Sequence, residues 1–155
     1  MIEMAPEELI DDALRTSERE VIEISIPGSV DLVVLARFTA ATIGTRAGFD
    51  LDEIDDLRLA VDELSVAFGP LDAETRLRYA FLREGDTVNV RCTREPTDEE
   101  VEEGAGHTER DLIDWQQARE LSAQLLDELV SAHGREIANG RSVAWLTKQR
   151  GTSAG

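Results

Sequence analysis

The sequence predicts an α+β protein, a two-layer sandwich in which helices lie on one face of a mostly antiparallel sheet. Two observations predict this fold class. Segments whose apolar residues alternate, as in strands, occur once alone and then in adjacent pairs joined by short turns. Segments with a helical apolar period stand between them as whole blocks. This order favours antiparallel hairpins under a helical layer over alternating βαβ units.

The length of 155 residues fits one domain. We predict a polar N-terminal extension over residues 1–18, a folded domain over residues 19–150 and a disordered tail over residues 151–155. The N-terminus lacks the basic start of a signal peptide, and no apolar run approaches the roughly 20 residues that span a bilayer. Cys92 is the only cysteine, so no internal disulfide forms. We therefore expect a cytoplasmic protein that makes no membrane contact.

The composition is strongly acidic, with 33 Asp and Glu against 16 Lys and Arg and a formal net charge of −17. This charge repels phosphate backbones, so direct nucleic-acid binding is not expected. It favours encounter with a basic protein partner. Solubility alone explains the same charge, and the composition does not choose between the two interpretations.

The first strand and the first helix are predicted over residues 19–46. Residues 19–26 alternate as a half-exposed strand, which Pro27-Gly28 ends. Ser29 is predicted to cap the helix that follows. The inward face of that helix is predicted to carry Val30, Val34, Phe38 and Ala41.

The second helix has the clearest signals in the chain. Asp50 and Glu53 have the spacing of a capping box, and Gly69-Pro70 closes the segment. Its apolar residues form one stripe, which predicts a helix packed against a core. The stripe consists of Ile54, Leu57, Val61, Leu64 and Phe68.

Two hairpins and a third helix complete the predicted fold. Strands over residues 76–83 and 87–93 are joined by Glu84-Gly85-Asp86, and strands over residues 135–138 and 141–148 are joined by Asn139-Gly140. Residues 95–111 contain eight Asp or Glu against one Arg and are predicted to form a mobile acidic loop. The third helix is predicted to run from about Thr108 to Ala132, with Gly134 as its stop. Its predicted inward stripe is Trp115, Ala118, Ser122, Leu125 and Leu129.

The run Leu57–Leu64, with Glu63 beside the apolar stripe, resembles the second helix of the anti-sigma factors in the histidine-kinase-like ATPase superfamily. The order of elements is similar from Ile22 to Lys148. The resemblance implies the fold of that family and places Glu63 at the position of its catalytic base. Four residues further on, where the family has an Asn that binds Mg²⁺, this chain has Ala67, whose methyl group cannot coordinate a metal.

Two more departures concern the nucleotide. The family's adenine-binding Asp and glycines correspond here to Thr93-Arg94-Glu95-Pro96, and the expected start of its phosphate lid corresponds to Arg119-Glu120-Leu121. Gly104-Ala105-Gly106 is either a displaced remnant of the lid or an ordinary loop. We therefore expect that no cofactor binds and that Glu63 is a vestigial carboxylate without a catalytic role. The alternative is that ATP and Mg²⁺ bind weakly through unusual contacts.

Partner binding is the second implication of the resemblance. Arg37 matches an Arg on the first helix that family members use for both sigma factor and antagonist. The alternative is that Arg37 extends from the edge of a buried face beside Phe38. The implied function is an anti-sigma factor that sequesters a stress-type sigma factor, is released by an anti-anti-sigma protein, and forms a homodimer through its first helix and a sheet edge. The alternatives are an active serine-protein kinase that uses Glu63, or a scaffold that no longer binds a sigma factor.

No metal site is predicted. His107 and His133 are the only histidines, and each lies near a predicted helix end, where a capping or solvated role is usual. Trp115 and Trp145 are predicted to be core or interface anchors.

Overall fold

A computed structural model of the protein describes residues 19–72, 74–96 and 109–151. The predicted extension over residues 1–18, most of the acidic loop and residues 152–155 of the predicted tail lie outside the described residues. The elements are β1 (Arg19–Pro27), a 3₁₀ turn (Val30–Leu32), α1 (Val33–Arg46), α2 (Leu51–Leu64) with a 3₁₀ extension (Ser65–Phe68), β2 (Thr75–Glu84), β3 (Thr87–Pro96), α3 (Glu109–Leu129), β4 (Ala132–Ala138) and β5 (Arg141–Gln149).

The five strands form one sheet in the order β1-β2-β3-β5-β4, and every neighbouring pair is antiparallel. The two predicted hairpins are confirmed. Glu84 pairs with Thr87 across the first turn, and Ala138 pairs with Arg141 across the second. Asn139 and Gly140 both have positive φ, at 55° and 75°, which is the conformation that a two-residue hairpin turn requires.

The helices cover one face of this sheet, which confirms the predicted two-layer α+β architecture. Alternate residues of the central strands point into the helical layer and are fully buried. Cys92 is one of these residues, and burial raises the pKa of its thiol to about 12, so it stays protonated and unreactive at neutral pH. The other central buried positions are Leu77, Tyr79, Phe81, Val88, Val90 and Leu146.

The opposite face of the sheet carries no helix among the described residues. It is covered instead by charged side chains that pair across neighbouring strands. Arg78 lies 3.1 Å from Glu23, and Arg141 lies 3.2 Å from Glu95. The charged residues at the strand positions of this face are Arg19, Glu23, Arg76, Arg78, Glu84, Arg91, Glu95, Glu136 and Arg141.

The second helix forms as the sequence predicts. The Glu53 amide donates to the Asp50 carboxylate at 2.8 Å and the Asp50 amide donates to the Glu53 carboxylate at 3.0 Å, so the capping box is complete. Leu57 and Val61 are fully buried, and the segment ends at Gly69, whose φ is 78°. A side chain at Gly69 would also collide with the Trp115 ring, 2.8 Å from an added Cβ. This contact makes Trp115 an anchor between α3 and the end of the α2 segment.

The predicted inward face of the first helix is wrong. Val30 is 76% exposed and Phe38 is 61% exposed. The segment starts with a 3₁₀ turn, and the Ser29 side chain makes no capping bond. Small residues face inward because they let α1 approach α2 closely, and a Cβ on Gly44 would lie 3.4 Å from the Leu57 side chain. The buried residues of α1 are Val33, Ala36, Ala40, Ile43 and Gly44.

The third helix also departs from the prediction. Ser122, Leu125 and Leu129 of its predicted stripe face the core, but Ala118 is exposed, and Leu126, which was not assigned to the stripe, is buried. The helix ends at Leu129, and Gly134 lies within β4 instead of stopping the helix. The Trp145 ring packs against Gly134, where an added Cβ would meet it at 2.8 Å. No described helix has the length and apolar character needed to cross a membrane.

Glu20 joins the sheet to α1 through two arginines. Its carboxylate lies 2.7 Å from the Arg46 guanidinium and 2.6 Å from that of Arg83, whose side chain is 3% exposed. The hydrogen bond from Arg46 is the largest cause that lowers the pKa of Glu20, and the contact with Arg83 lowers it further. The ionised form of Glu20 is therefore favoured in the folded protein.

Replacing Glu20 with glutamine is expected to lower the free energy of unfolding by about 1 kcal/mol at neutral pH, because charge-assisted bonds to two arginines become neutral ones. A lowered carboxyl pKa stabilises the fold above the unfolded-state pKa, and this stabilisation disappears as the pH falls through the folded-state pKa. Urea unfolding of both proteins across the acidic range measures the difference, which should shrink on acidification. A difference that grows at low pH would contradict this account.

Candidate functional site

The largest concave feature near the predicted site is a pocket of about 170 Å³ between the helical layer and the β4-β5 hairpin. Glu63 and Ala67 both line it, so the structure brings together the two positions that the resemblance singles out. Its walls come from α2, α3, β4 and β5. The lining residues are Glu63, Leu64, Ala67, Arg119, Ser122, Ala123, Leu126, His133, Gly134, Arg135 and Ala144.

Glu63 is half-buried at the edge of α2. The Ser122 hydroxyl donates to the backbone carbonyl of Glu63 at 3.2 Å, which fixes α3 against α2 at this point. Within the described ranges, no group of three or more His, Cys, Asp or Glu side chains could hold a metal ion. His133 is paired with Asp127, at 2.6 Å, rather than with other potential ligands.

The two other nucleotide-related segments lie where the prediction did not place them. Arg119-Glu120-Leu121 is in the middle of α3, which starts at Glu109, so its assignment as the start of the lid is wrong. The position of the lid was assigned by counting residues back from Asp127, and this count places the start of the last helix ten residues too late. Gly104-Ala105-Gly106 lies outside the described residues. Thr93-Arg94-Glu95-Pro96 continues β3 as regular strand, and none of its residues lines the pocket around Glu63.

Arg37 lies on α1, outside this pocket. Its Nε atom is 3.2 Å from the Asp62 Oδ1 atom on α2, and the two side chains are 38% and 31% exposed. Both atoms are shielded from solvent, and neither makes a well-directed hydrogen bond with the described residues. The contact is therefore mainly electrostatic, and the rest of the Arg37 guanidinium remains accessible at the surface.

Asp62 is a residue that the sequence prediction missed, although it stands directly before Glu63. Burial is the largest cause that raises the pKa of its carboxyl group, and Glu63 raises it further. The positive charges of Arg37 and Arg58 act in the opposite direction but do not cancel the effect of burial. Asp62 is thus a carboxylate held beside Arg37 in a site that disfavours its charge.

Replacing Asp62 with asparagine is expected to leave the free energy of unfolding at neutral pH unchanged or higher. A raised carboxyl pKa means that the native state binds the proton more tightly, so stability falls as the pH rises from the usual 3.8 through the folded-state pKa. Asparagine does not ionise and avoids this loss. Urea unfolding at neutral and acidic pH checks the sign. A clear destabilisation at neutral pH would show that the pair with Arg37 outweighs the cost of burial.

Three large apolar side chains are exposed on the outer side of the α1 segment, the same segment that carries Arg37. We call them the α1 apolar surface: Val30, Leu35 and Phe38, which are 76%, 46% and 61% exposed. Val21 on the edge strand β1 is also exposed, at 57%, but it lies on the sheet face away from the helices. Exposed apolar residues on the same segment as a partly exposed arginine have the composition that protein–protein interfaces favour.

The geometry defines a class first, an α+β protein with helices on one face of a five-stranded antiparallel sheet. No protein-family model matches the sequence. A segment of 44 residues is 39% identical to the serine-protein kinase RsbW of Bacillus cereus (strain AH187) and to that of Bacillus thuringiensis (strain Al Hakam). The match covers 28% of this chain and 28% of each relative. The chain is therefore a partial homologue of RsbW.

A solved structure has a similar overall course of the chain. It is that of the SiaB-SiaC complex from Pseudomonas aeruginosa, which matches with 15% identity and a TM-score of 0.48 over 95% of this chain and 99% of that one. A likeness at this level is too distant to carry functional information.

Proposed function

We propose that this protein is an anti-sigma factor, which binds a stress-type sigma factor and is released from it by an anti-anti-sigma protein. The observation that carries the proposal is the α1 apolar surface on the same segment as Arg37, in a chain that is a partial homologue of RsbW. Arginine and aromatic side chains dominate the binding energy of many interfaces, and here Arg37 and Phe38 are adjacent in the sequence and accessible. Occlusion of the sigma surface that contacts RNA polymerase would be the mechanism.

The charge distribution supports a protein partner. With a net charge of −17, the molecule attracts a basic surface and repels nucleic acid at long range. Such a field accelerates encounter more than it tightens the final complex. The proposal therefore assigns affinity to the apolar surface and Arg37, and assigns the rate of association to the acidic residues.

Binding of purified sigma factors tests the proposal directly. Each sigma factor of the source organism is produced alone and titrated against the protein by calorimetry. We expect one of them to bind, and the complex to dissociate when the matching anti-anti-sigma protein is added. Absence of binding at micromolar concentration for every sigma factor would refute the proposed function, whatever the fold.

A homodimer is part of the same proposal. The outer edge of β1 has no neighbouring strand among the described residues, and Val21 on this strand is 57% exposed. An unpaired strand edge beside apolar side chains is a common self-association surface. Light scattering over a range of concentrations measures the state of the wild type, and Val21→Lys should shift it towards monomer.

Nucleotide binding is expected to be absent. Ala67 supplies no metal ligand, and a pocket of about 170 Å³ is smaller than the roughly 300–1,000 Å³ typical of sites that enclose drug-sized ligands. The alternative function is a serine-protein kinase in which Glu63 deprotonates the substrate serine. A thermal-shift titration with Mg-ATP separates them, since a ligand at 100 times its Kd stabilises by about 2.7 kcal/mol. Such a shift would favour the kinase, and Ala67→Asn alone should not create one.

A further inference from the structure

Arg119 and Arg135 lie on the wall of the pocket beside Glu63, and neither has a partner among the described residues. The described part of the chain offers neither of them a side-chain hydrogen bond or an ion pair. The Arg119 side chain is half-buried, and its Nε atom is shielded from solvent without an acceptor. His133, the remaining basic group of the pocket, is already paired with Asp127 at 2.6 Å. The guanidinium groups of Arg119 and Arg135 are thus the positively charged groups of the pocket that pair with no acidic side chain of the described residues.

This arrangement is unexpected in so acidic a chain. Asp and Glu outnumber Lys and Arg by 33 to 16, and most of the described arginines lie beside a carboxylate. A guanidinium has five donors and no acceptor, and a buried donor without an acceptor costs free energy. A bound acceptor from outside the chain would remove that cost. An anion is the natural acceptor, because a carboxylate matches the guanidinium with two parallel hydrogen bonds.

The other residues of the pocket determine the size and polarity of the part of a ligand that does not contact the arginines. Apart from Glu63, Ser122 and the basic groups, its walls are aliphatic or glycine, and the volume of about 170 Å³ has room for a short hydrocarbon body but not for a nucleotide. The apolar walls come from Leu64, Ala67, Ala123, Leu126 and Ala144.

We propose that this pocket is a binding site for a small organic carboxylate, whose carboxylate group pairs with Arg119 while its apolar body packs against the aliphatic walls. Arg135, which is exposed on β4, adds a second positive charge at the mouth. The negative charge of Glu63 on the facing wall selects against ligands with several negative charges. This site is separate from Arg37 and does not depend on sigma-factor binding.

The experiment uses the whole chain and benzoate, hexanoate and the neutral isostere benzamide as probes. Methyl signals of Ala67, Ala123 and Ala144 are followed by NMR during titration to about 10 mM, a concentration that detects even weak binding. We expect both carboxylates to shift these signals, and benzamide to bind about tenfold more weakly because it lacks the charge that Arg119 pairs with.

Variants assign the binding to the pocket. Arg119→Gln should weaken benzoate binding about tenfold and Ala67→Leu should block it by filling the cavity, whereas Arg150→Gln, which removes an arginine outside the pocket, should leave it unchanged. Methyl signals that do not move with either carboxylate would overturn the proposal. So would equal binding of benzamide, equal binding by Arg119→Gln, or Mg-ATP binding more tightly than benzoate at the same methyl groups.

Discussion

Replacing Arg37 with alanine is expected to weaken sigma-factor binding by about 2 kcal/mol, roughly a 30-fold increase in Kd, with a smaller loss of stability of the free protein because Asp62 loses a compensating charge. Arg37 lies on the same segment as the α1 apolar surface, and desolvation by a partner that covers this segment would strengthen each of its hydrogen bonds. Its contact with Asp62 is no obstacle, because the pair lacks well-directed hydrogen bonds and a partner carboxylate could replace it. Calorimetric titration of the sigma factor measures the change.

The controls separate a binding effect from a folding effect. Arg91→Ala removes a surface arginine that pairs with Glu136 on the opposite face of the sheet, and it should not alter sigma binding. Glu63→Ala should also leave binding unchanged, because Glu63 faces the pocket. Equal binding by wild type and Arg37→Ala would remove Arg37 from the partner surface. An equal fall in the melting temperatures of Arg37→Ala and of Arg37→Ala combined with Asp62→Asn would show that the side chain mainly supports packing.

Replacing Leu57 with alanine is expected to lower the free energy of unfolding by about 3 kcal/mol, because it removes a fully buried side chain from the centre of α2 and leaves a cavity. Leu57 lies under the close approach of α1 and α2, near Gly44, where little backbone movement can fill the space. For a chain of this size the melting temperature should fall by about 10 °C. Urea and thermal unfolding measure both quantities.

Leu59→Ala is the matched control on the same helix. Leu59 is 41% exposed, so the same substitution removes little buried area and should change stability by less than about 1 kcal/mol. Similar losses for both variants would mean that the effect comes from helix propensity or an unrecognised contact of Leu59. A small loss for Leu57→Ala would show that the α1-α2 contact can repack.

Local signals predicted the sheet and α2 well. The capping box, the stripe of large apolar residues and Gly69 all act within the segment, and each is present in the structure. The Asn139-Gly140 turn likewise depends on the φ preferences of two residues. These features do not depend on how distant parts of the chain pack, so a single sequence is enough to predict them.

The errors concern features that only packing decides. The inward face of α1 was assigned to its largest apolar residues, but Ala36, Ala40 and Gly44 face α2 because small residues allow the helices to come close. The pair of Arg37 and Asp62 joins two helices, so the spacing of residues within either helix does not predict it. Arg119 was placed at the start of α3 by counting from a weak match, although the helix begins ten residues earlier, at Glu109.

The uncovered face of the sheet differs in net charge from the rest of the molecule. Its strand positions carry five arginines and four glutamates, which gives this face a net charge of +1. Because the whole chain has a net charge of −17, the residues outside this face carry −18. Residues 1–18 and 97–108 carry −10 of that charge and the other described residues carry −8, so within the described residues a basic partner is attracted more strongly to the helical side than to the uncovered face. That side carries Arg37 and Phe38. Added salt should slow association with such a partner while leaving the dissociation rate nearly constant.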